Sequence, residues 1–127
     1  QYSVLDGAAK IPQIIERAVS CHQTAVAITD HGNMHGVLEF YSAAKAKEVK
    51  PILGCEVYFT PTSRFEKINR AQGGPKTHHL TLLAMNKVGY QNLCRLVSLG
   101  YMEGFYFKPR IDREILEKYN EGLICLS

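Results

Sequence analysis

The stretch Ala25-Val26-Ala27-Ile28-Thr29-Asp30-His31-Gly32 decides the fold class, because it joins an apolar run directly to a polar turn. Four consecutive apolar residues predict a strand that is buried on both faces. Before this strand, apolar residues recur three and four positions apart over 11–19, which predicts an amphipathic helix. After it, a second helix is predicted over 36–47, and the order strand, turn and helix is typical of α/β folds. The apolar side of the second helix is expected to carry Val37, Leu38, Tyr41 and Ala44.

The same alternation continues along the chain. Further strands are predicted over 51–60, 80–84 and 123–126, and helices around 93–97 and over 112–119. Strands separated by helices imply parallel pairing through right-handed crossovers. The irregular stretch 61–77, which contains Arg64, Lys67, Arg70 and Lys76, is predicted to be a surface loop. The fold class is therefore α/β. Because 127 residues are few for a complete βα barrel, the domain is expected to continue beyond both ends.

Composition limits the classes of function. The chain has 46% hydrophobic and 21% charged residues, an ordinary mixture for a globular protein. It contains no apolar run of the roughly 20 residues that span a bilayer, and no signal peptide, so a cytoplasmic protein without membrane contact is expected. The net charge of +3 permits contact with phosphates without indicating a dedicated nucleic-acid binder. Buried free thiols are predicted for Cys21, Cys55, Cys94 and Cys125, which form no zinc-binding pair.

The turn at 29–32 is the first candidate for chemistry. It follows a strand, so it lies at the carboxyl end of the sheet, where ligand sites of α/β folds collect. His31 offers an imidazole nitrogen, and Asp30 could bind a metal or orient the imidazole as a hydrogen-bond acceptor. The alternative is a polar turn in which Asp30 caps the following helix.

Glu56 is the second candidate, because it places a carboxylate inside an otherwise apolar strand. A buried carboxylate costs several kcal/mol unless it is paired, protonated or bound to a cation. Glu56 therefore either binds a metal or faces water from an edge strand.

His78 and His79 are the third candidate. Neighbouring side chains on a strand point to opposite faces, so at most one of them is expected to enter a shared site. A geometric difficulty remains, since His79 is predicted at the start of its strand whereas His31 lies past the end of its own. Both reach one cavity only if the strand begins earlier or His79 belongs to the preceding loop. Of the remaining polar residues, Asp6 is typical of a turn, and His22 and His35 are predicted to lie on the surface.

Histidines and carboxylates on successive connections indicate a divalent-metal site. Mixed imidazole and carboxylate ligands suit zinc, manganese or iron. Such a site generates hydroxide and stabilises a phosphoryl group, which predicts metal-assisted hydrolysis. Lys108 and Arg110 are candidate contacts to phosphate or DNA, since Arg can hold a phosphate bidentately. The alternative for these two residues is a solvated loop before the helix that begins at Asp112.

Several blocks of the sequence, in order, resemble one known family. Two of them are Ala27-Ile28-Thr29-Asp30-His31-Gly32-Asn33 and Lys50-Pro51-Ile52-Leu53-Gly54-Cys55-Glu56-Val57-Tyr58, and the others cover 2–8, 79–84, 89–93, 103–106, 108–112 and 121–124. Together they resemble the polymerase and histidinol phosphatase (PHP) domain. More narrowly, they resemble that domain in the catalytic α subunits of bacterial DNA polymerase III. The resemblance covers essentially the whole chain.

The resemblance implies a distorted, TIM-like βα barrel of the PHP type with a metal centre of up to three ions. By resemblance, Asp6 and His31 would bind one metal. Glu56 would bridge the other two, His79 would bind one of these, and Asp30 would contact a ligand rather than a metal. Zinc or manganese is expected in this centre, and magnesium in the parent polymerase.

The resemblance also implies that residues 1–127 are a fragment of the domain. The family begins with a His-x-His pair upstream of Tyr2, and further ligands come from segments after Ser127, so the fragment itself is expected to bind metal weakly and hydrolyse little. The parent protein is expected to be a DNA-directed DNA polymerase of replication, with a metal-dependent 3′–5′ exonuclease site in this domain. DNA, other replicase subunits and a proofreading exonuclease subunit are the expected partners. The alternatives are a free-standing phosphatase, such as a histidinol-phosphate phosphatase, and a non-catalytic scaffold that docks a proofreading subunit.

Overall fold

The computed structural model describes residues 2–3, 7–67 and 77–127. In chain order the elements are α1 Ile11–Ser20, β1 Ala25–Ile28, α2 Val37–Ala46, β2 Lys50–Phe59, β3 His78–Ala84, α3 Lys87–Met102, β4 Phe105–Tyr106, β5 Lys108–Ile111, α4 Arg113–Lys118 and β6 Leu123–Leu126. The predicted helices and strands are confirmed, but β3 begins two residues earlier than expected. A short hairpin, β4–β5, forms where a loop was predicted before α4. Among the described residues, no helix has both the length and the apolar character that a bilayer crossing requires.

β2 lies at the centre of the sheet. β1 pairs in parallel with its first residues, from Lys50 to Leu53, and β5 pairs in parallel with its last residues, Tyr58 and Phe59. β3 pairs with β2 in the antiparallel direction, and β6 pairs antiparallel with β3. Because Tyr58 and Phe59 pair with both β5 and β3, these two strands lie on opposite sides of β2.

The prediction of parallel pairing throughout is wrong for β3. The described residues between β2 and β3, 60–67 and 77, form no helix. An antiparallel return needs no crossover helix, so this connection permits β3 to run back along β2. As a result, the start of β3 lies beside the carboxyl end of β2.

Two apolar cores support the sheet. The first contains buried residues of α1, β1 and α2, with Ile11, Ile15 and Phe40 among the most completely enclosed. The second packs the inner face of β2 and β3 against α3 and α4, through residues such as Leu82 and Leu93. Leu53 of the first core and Cys55 and Val57 of the second alternate along β2, so both cores pack against the same face of this strand.

Two burial predictions for the first core are wrong. The buried side of α2 carries Val37, Phe40 and Ala44, whereas Leu38 is 75% exposed and Tyr41 is also exposed. β1 is not buried on both faces, because Ala27 is exposed and Ile28 is the one buried residue of the strand.

The cysteine prediction is confirmed in one respect and wrong in another. All four thiols are free, but Cys21 and Cys125 are exposed rather than buried. Cys55 is fully buried, and burial raises the pKa of its thiol to about 12. Cys55 therefore stays protonated and serves as a hydrogen-bond donor.

The prediction of a surface loop over 61–77 is wrong at Arg64, whose side chain is buried. Its guanidinium bonds to Asp112 at 3.1 Å, to Glu103 at 2.7 Å and to Glu114 at 2.9 Å. Although burial opposes the charge, these three carboxylates raise the pKa of Arg64 above its usual value. The cluster ties the segment after β2 to the end of α3 and the start of α4. Arg70 and Lys76, predicted in the same loop, lie outside the described residues.

Asp112 is the buried anion of this cluster and also the cap of α4. Its carboxylate accepts the backbone N–H groups of Arg64 at 2.9 Å and Ile115 at 3.3 Å. Burial alone would raise the pKa of Asp112, but these hydrogen bonds and the Arg64 guanidinium together lower it.

Arg110 is likewise buried, at 1% exposure, so the alternative of a solvated loop is wrong for this residue. Its guanidinium donates to the backbone carbonyls of Gly104 at 3.0 Å, Arg64 at 2.9 Å and Glu66 at 2.7 Å. Burial lowers the pKa of Arg110. A guanidinium committed to three carbonyls inside the protein is not available to a phosphate at the surface, which argues against the predicted contact.

Candidate metal centre

His31 faces Glu56 because the pairing of β1 with β2 continues past the end of β1. The register that pairs Ile28 with Leu53 extends to a parallel bridge between His31 and Glu56. The Glu56 N–H donates to the Asp30 carbonyl at 3.0 Å, and the Gly32 N–H donates to the Glu56 carbonyl at 2.9 Å. Directly paired residues present their side chains on one face of a sheet. The His31 Nδ1 and Glu56 Oε1 atoms are accordingly 3.4 Å apart.

His79 reaches the same carboxylate from the other side of β2. The antiparallel register pairs His79 with Tyr58 and Thr81 with Glu56, so His79 lies diagonally across from Glu56 on the same face. Its Nδ1 atom hydrogen-bonds directly to Glu56 Oε1. The geometric difficulty at His79 disappears, because β3 begins earlier and runs antiparallel. His78 pairs with Phe59 and faces the opposite side of the sheet, as strand alternation requires.

His31, Glu56 and His79 form a group of potential metal ligands, the donor set, whose ligand atoms converge on one point. Their ligand atoms all lie within 4.8 Å of one another. Glu56 is 24% exposed on the central strand, so the alternative of an edge strand facing water is wrong. His79 is 47% exposed and leaves one side of the cluster open to solvent. Two imidazoles and a carboxylate in this arrangement have the donor chemistry of a zinc or manganese site.

Asp30 supports the His31 backbone and does not cap α2. The buried Asp30 carboxylate accepts a hydrogen bond from the Ser3 hydroxyl at 2.7 Å, and the His31 N–H donates to that hydroxyl at 3.0 Å. The Cys55 thiol donates to the Asp30 carbonyl at 3.4 Å. The cap position of α2 is Gly36, which makes no side-chain capping bond. The capping alternative is therefore wrong, and Asp30 instead helps to hold His31 in place.

Asn33 fixes the other side of the turn. Its side-chain amide donates to the carbonyls of His31 at 3.0 Å and Tyr2 at 3.3 Å, and its oxygen accepts from the His35 N–H at 3.1 Å. Sequence reasoning missed Asn33, although an Asn that accepts from the backbone two residues on is a known turn pattern. It also missed Ser3, for which the sequence carries no local signal.

Tyr58 lies against the donors and connects them to Lys108. Its ring meets the His79 ring edge to face, with 5.0 Å between the centroids, and the Lys108 ammonium lies 4.3 Å from the Tyr58 centroid. Gly32 has a φ of +65°, and a Cβ atom there would lie 2.9 Å from the Tyr58 ring. Glycine is required at this position both for the backbone conformation and for the close approach of the ring.

The other residues that the sequence singled out lie at different distances from the candidate metal centre or outside the described residues. Lys108 lies beside the candidate centre, whereas Arg110 is buried away from solvent. Asp6, which was assigned a ligand role by resemblance, lies outside the described residues. His22 and His35 are exposed, as predicted.

The chain is similar to a known domain family and to known proteins. The family model of the PHP domain matches residues 1–127. The DNA polymerase III α subunit of Borreliella burgdorferi is 52% identical over 126 residues, which are 99% of this chain and 11% of that protein. The α subunit of Chlamydia muridarum is 49% identical over 127 residues, or 100% of this chain and 10% of that protein. The chain thus spans about a tenth of the length of these relatives.

A solved structure also resembles this fold. An amidohydrolase from Chromobacterium violaceum, determined with bound sulfate and no metal, aligns with a TM-score of 0.51 and 24% identity. The alignment covers 76% of this chain and 30% of the amidohydrolase chain. At this identity the similarity shows the fold alone, an α/β architecture that is consistent with part of a TIM-like barrel. The resemblance found in the sequence is confirmed, and the chain belongs to the PHP domain family.

Proposed function

We propose that this chain contributes to a metal-dependent phosphoesterase site that removes nucleotides from the 3′ end of DNA. The observation that carries the proposal is the convergence of His31, Glu56 and His79, from three separate segments, within 4.8 Å. A divalent ion bound by such donors supplies Lewis-acid stabilisation of a phosphoryl oxygen and lowers the pKa of a bound water.

The donor set favours zinc or manganese. Imidazole and carboxylate together suit these ions, whereas magnesium is usually bound by oxygen ligands alone. His31, Glu56 and His79 would hold the ion, and Asp30 would keep His31 in position through Ser3. Asp6 is proposed as a further ligand on the resemblance alone. The centre of up to three ions remains a proposal for the complete domain.

Lys108 is proposed as a contact to the substrate phosphate. Its ammonium and the His79 ring both lie against the Tyr58 ring, so one side chain connects the cation to the donors. A lysine ammonium can neutralise a phosphate that approaches the centre.

The whole protein is proposed to be a replicative DNA polymerase. This proposal rests on the two α subunits to which the chain is about half identical along its whole length. Polymerase activity with magnesium, DNA and other replicase subunits as partners, and a cytoplasmic location are proposed on the same basis. A proofreading exonuclease subunit is a further proposed partner.

The test compares this chain with a polypeptide that contains it and is extended to the length of those relatives. The extended protein is expected to contain zinc or manganese by elemental analysis and to trim single-stranded DNA from its 3′ end. Chelator should abolish trimming and added metal should restore it. The 127-residue chain itself is expected to bind metal weakly and trim little.

His79→Ala and His78→Ala form a matched pair of variants in the extended protein. His79 belongs to the donor set, and His78 is its neighbour on the opposite face of β3. Only His79→Ala should lower metal content and trimming. Equal loss in both variants would contradict the proposal. If the protein released phosphate from histidinol phosphate and did not trim DNA, a phosphatase would replace the proposed nuclease. If it contained no metal and had neither activity, a non-catalytic scaffold would be the remaining function.

A further inference from the structure

We propose that Phe107 and Lys108 form a binding site for one nucleotide of single-stranded DNA, with the base stacked on the Phe107 ring and the phosphate held by Lys108. The inference rests on the proposed nuclease function, since it assigns the contact that places the DNA strand at the metal centre. Neither the fold nor the donor set requires this contact.

The position of Phe107 is the first reason. It lies at the tip of the β4–β5 hairpin, where Tyr106 pairs with Lys108, and its side chain is 60% exposed. Its φ is +60°, a conformation that is uncommon for any residue with a side chain and an outlier for a bulky one. Glycine would suit this turn better, so an exposed aromatic ring here is unfavourable for the fold alone. Outliers of this kind cluster at sites that bind ligands.

The second reason is that a series of neighbouring residues leads from this ring to the donors. The Phe107 and Tyr106 rings meet edge to face, with 4.6 Å between their centroids. Tyr106 is in turn the cross-strand partner of Lys108. The Lys108 ammonium lies over Tyr58, and the Tyr58 ring lies against His79. The hairpin tip is therefore continuous with the candidate metal centre.

The chemistry of the patch favours unpaired nucleic acid over a protein partner. Phe107 is exposed and Lys108 follows it directly in the sequence. The ring offers a stacking surface for a base, and the ammonium offers a cation for the phosphate. Such stacking tolerates any base, as trimming of arbitrary sequences requires. An apolar protein surface would gain nothing from the cation.

The sharpest test uses Phe107→Trp. The chain contains no tryptophan, so this variant carries a single tryptophan, at the hairpin tip. Titration with a short oligothymidylate should quench the fluorescence, because the base stacks on the indole. An abasic oligomer with the same phosphates should bind without quenching. Phe105→Trp is the matched control in the same hairpin, since the Phe105 ring lies stacked against Tyr101 of α3. Equal quenching in both variants, or none in either, would overturn the proposal.

Phe107→Gly separates a binding role from a structural one. Glycine accepts the positive φ, so the variant should be at least as stable as the original chain in urea denaturation. Its affinity for oligothymidylate should nevertheless fall about 5- to 150-fold. Lys108→Gln should also weaken binding, and it should reduce the slope of log affinity against log salt by about one. Unchanged affinity in Phe107→Gly would overturn the stacking site.

Failure of this inference and failure of the proposed function are distinguishable. The fluorescence readout needs no hydrolysis, so quenching without trimming would support the stacking site and remove the nuclease. Conversely, if Phe107→Gly in the extended protein trimmed DNA at the rate of the unaltered extended protein, the nuclease would stand and the stacking site would be removed. A small phosphodiester lacks a second nucleotide, so Phe107→Gly and the unaltered protein should hydrolyse it at the same rate.

Discussion

Glu56→Gln should reduce the affinity of the chain for zinc or manganese by at least about 100-fold, because loss of a residue that only orients a ligand already costs 10- to 100-fold. Glu56 is the donor that the other two share, hydrogen-bonded to His79 on one side and 3.4 Å from His31 on the other. Glutamine keeps the shape of the side chain but supplies no charge and a weaker donor oxygen. Competition with a chromophoric chelator measures the affinity.

Glu117→Gln is the matched control for this change. It removes the same charge from an exposed ion pair with Arg113 on α4, outside the donor set of His31, Glu56 and His79. Metal affinity should stay at the value of the unaltered chain, and both variants should retain the circular dichroism of the folded protein. An unchanged affinity in Glu56→Gln would show that metal binds elsewhere.

Asp112→Asn should lower the free energy of unfolding by about 3 kcal/mol, the lower end of the range for breaking a buried ion pair. The low end applies because Arg64 keeps Glu103 and Glu114 as partners. Asparagine preserves the cap of α4, so Asp112→Ala should cost about 1 kcal/mol more. Urea denaturation of the three proteins measures both differences.

The pH dependence gives an independent check. The folded state lowers the pKa of Asp112, so its contribution is fully present above the ordinary pKa of an aspartate, about 3.9. It is lost as the pH falls through the lowered value. The stability difference between the original chain and Asp112→Asn should therefore be constant from pH 7 to about pH 5 and shrink below about pH 4.

Arg113→Gln is the neighbouring control, because Arg113 pairs with Glu117 on the exposed side of α4. Exposed pairs contribute little, so its stability should hardly change. If Asp112→Asn were equally mild, Arg64 would not depend on Asp112 for its burial.

Sequence reasoning could place His31 and Glu56 together, because consecutive parallel strands deliver their carboxyl ends to one edge. Sequence reasoning could not place His79 beside them, because its position depends on the antiparallel register of β3. No pattern in the sequence of 60–77 indicated that β3 runs antiparallel to β2. The resemblance to the family supplied His79 where geometry could not.

Burial was harder to predict where the chain offered conflicting patterns. α2 carries apolar residues around most of its circumference, so periodicity did not distinguish Phe40 from Leu38. Arg64 stands in a stretch rich in polar residues, and its partners Glu103 and Asp112 lie 39 and 48 residues away. Only the folded arrangement reveals that its charge is matched inside the protein.

The two apolar cores meet at Met34, which packs against both. The donors are divided between them: His31 follows a strand of the first core, whereas Glu56 and His79 lie on strands whose other faces build the second. A ligand bound by all three would act as a crosslink between two units that could otherwise open separately. The binding free energy of that ligand would stabilise both units against opening. Amide hydrogen exchange in α1 and α3 should then slow together on addition of metal, since local openings would become as rare as global unfolding.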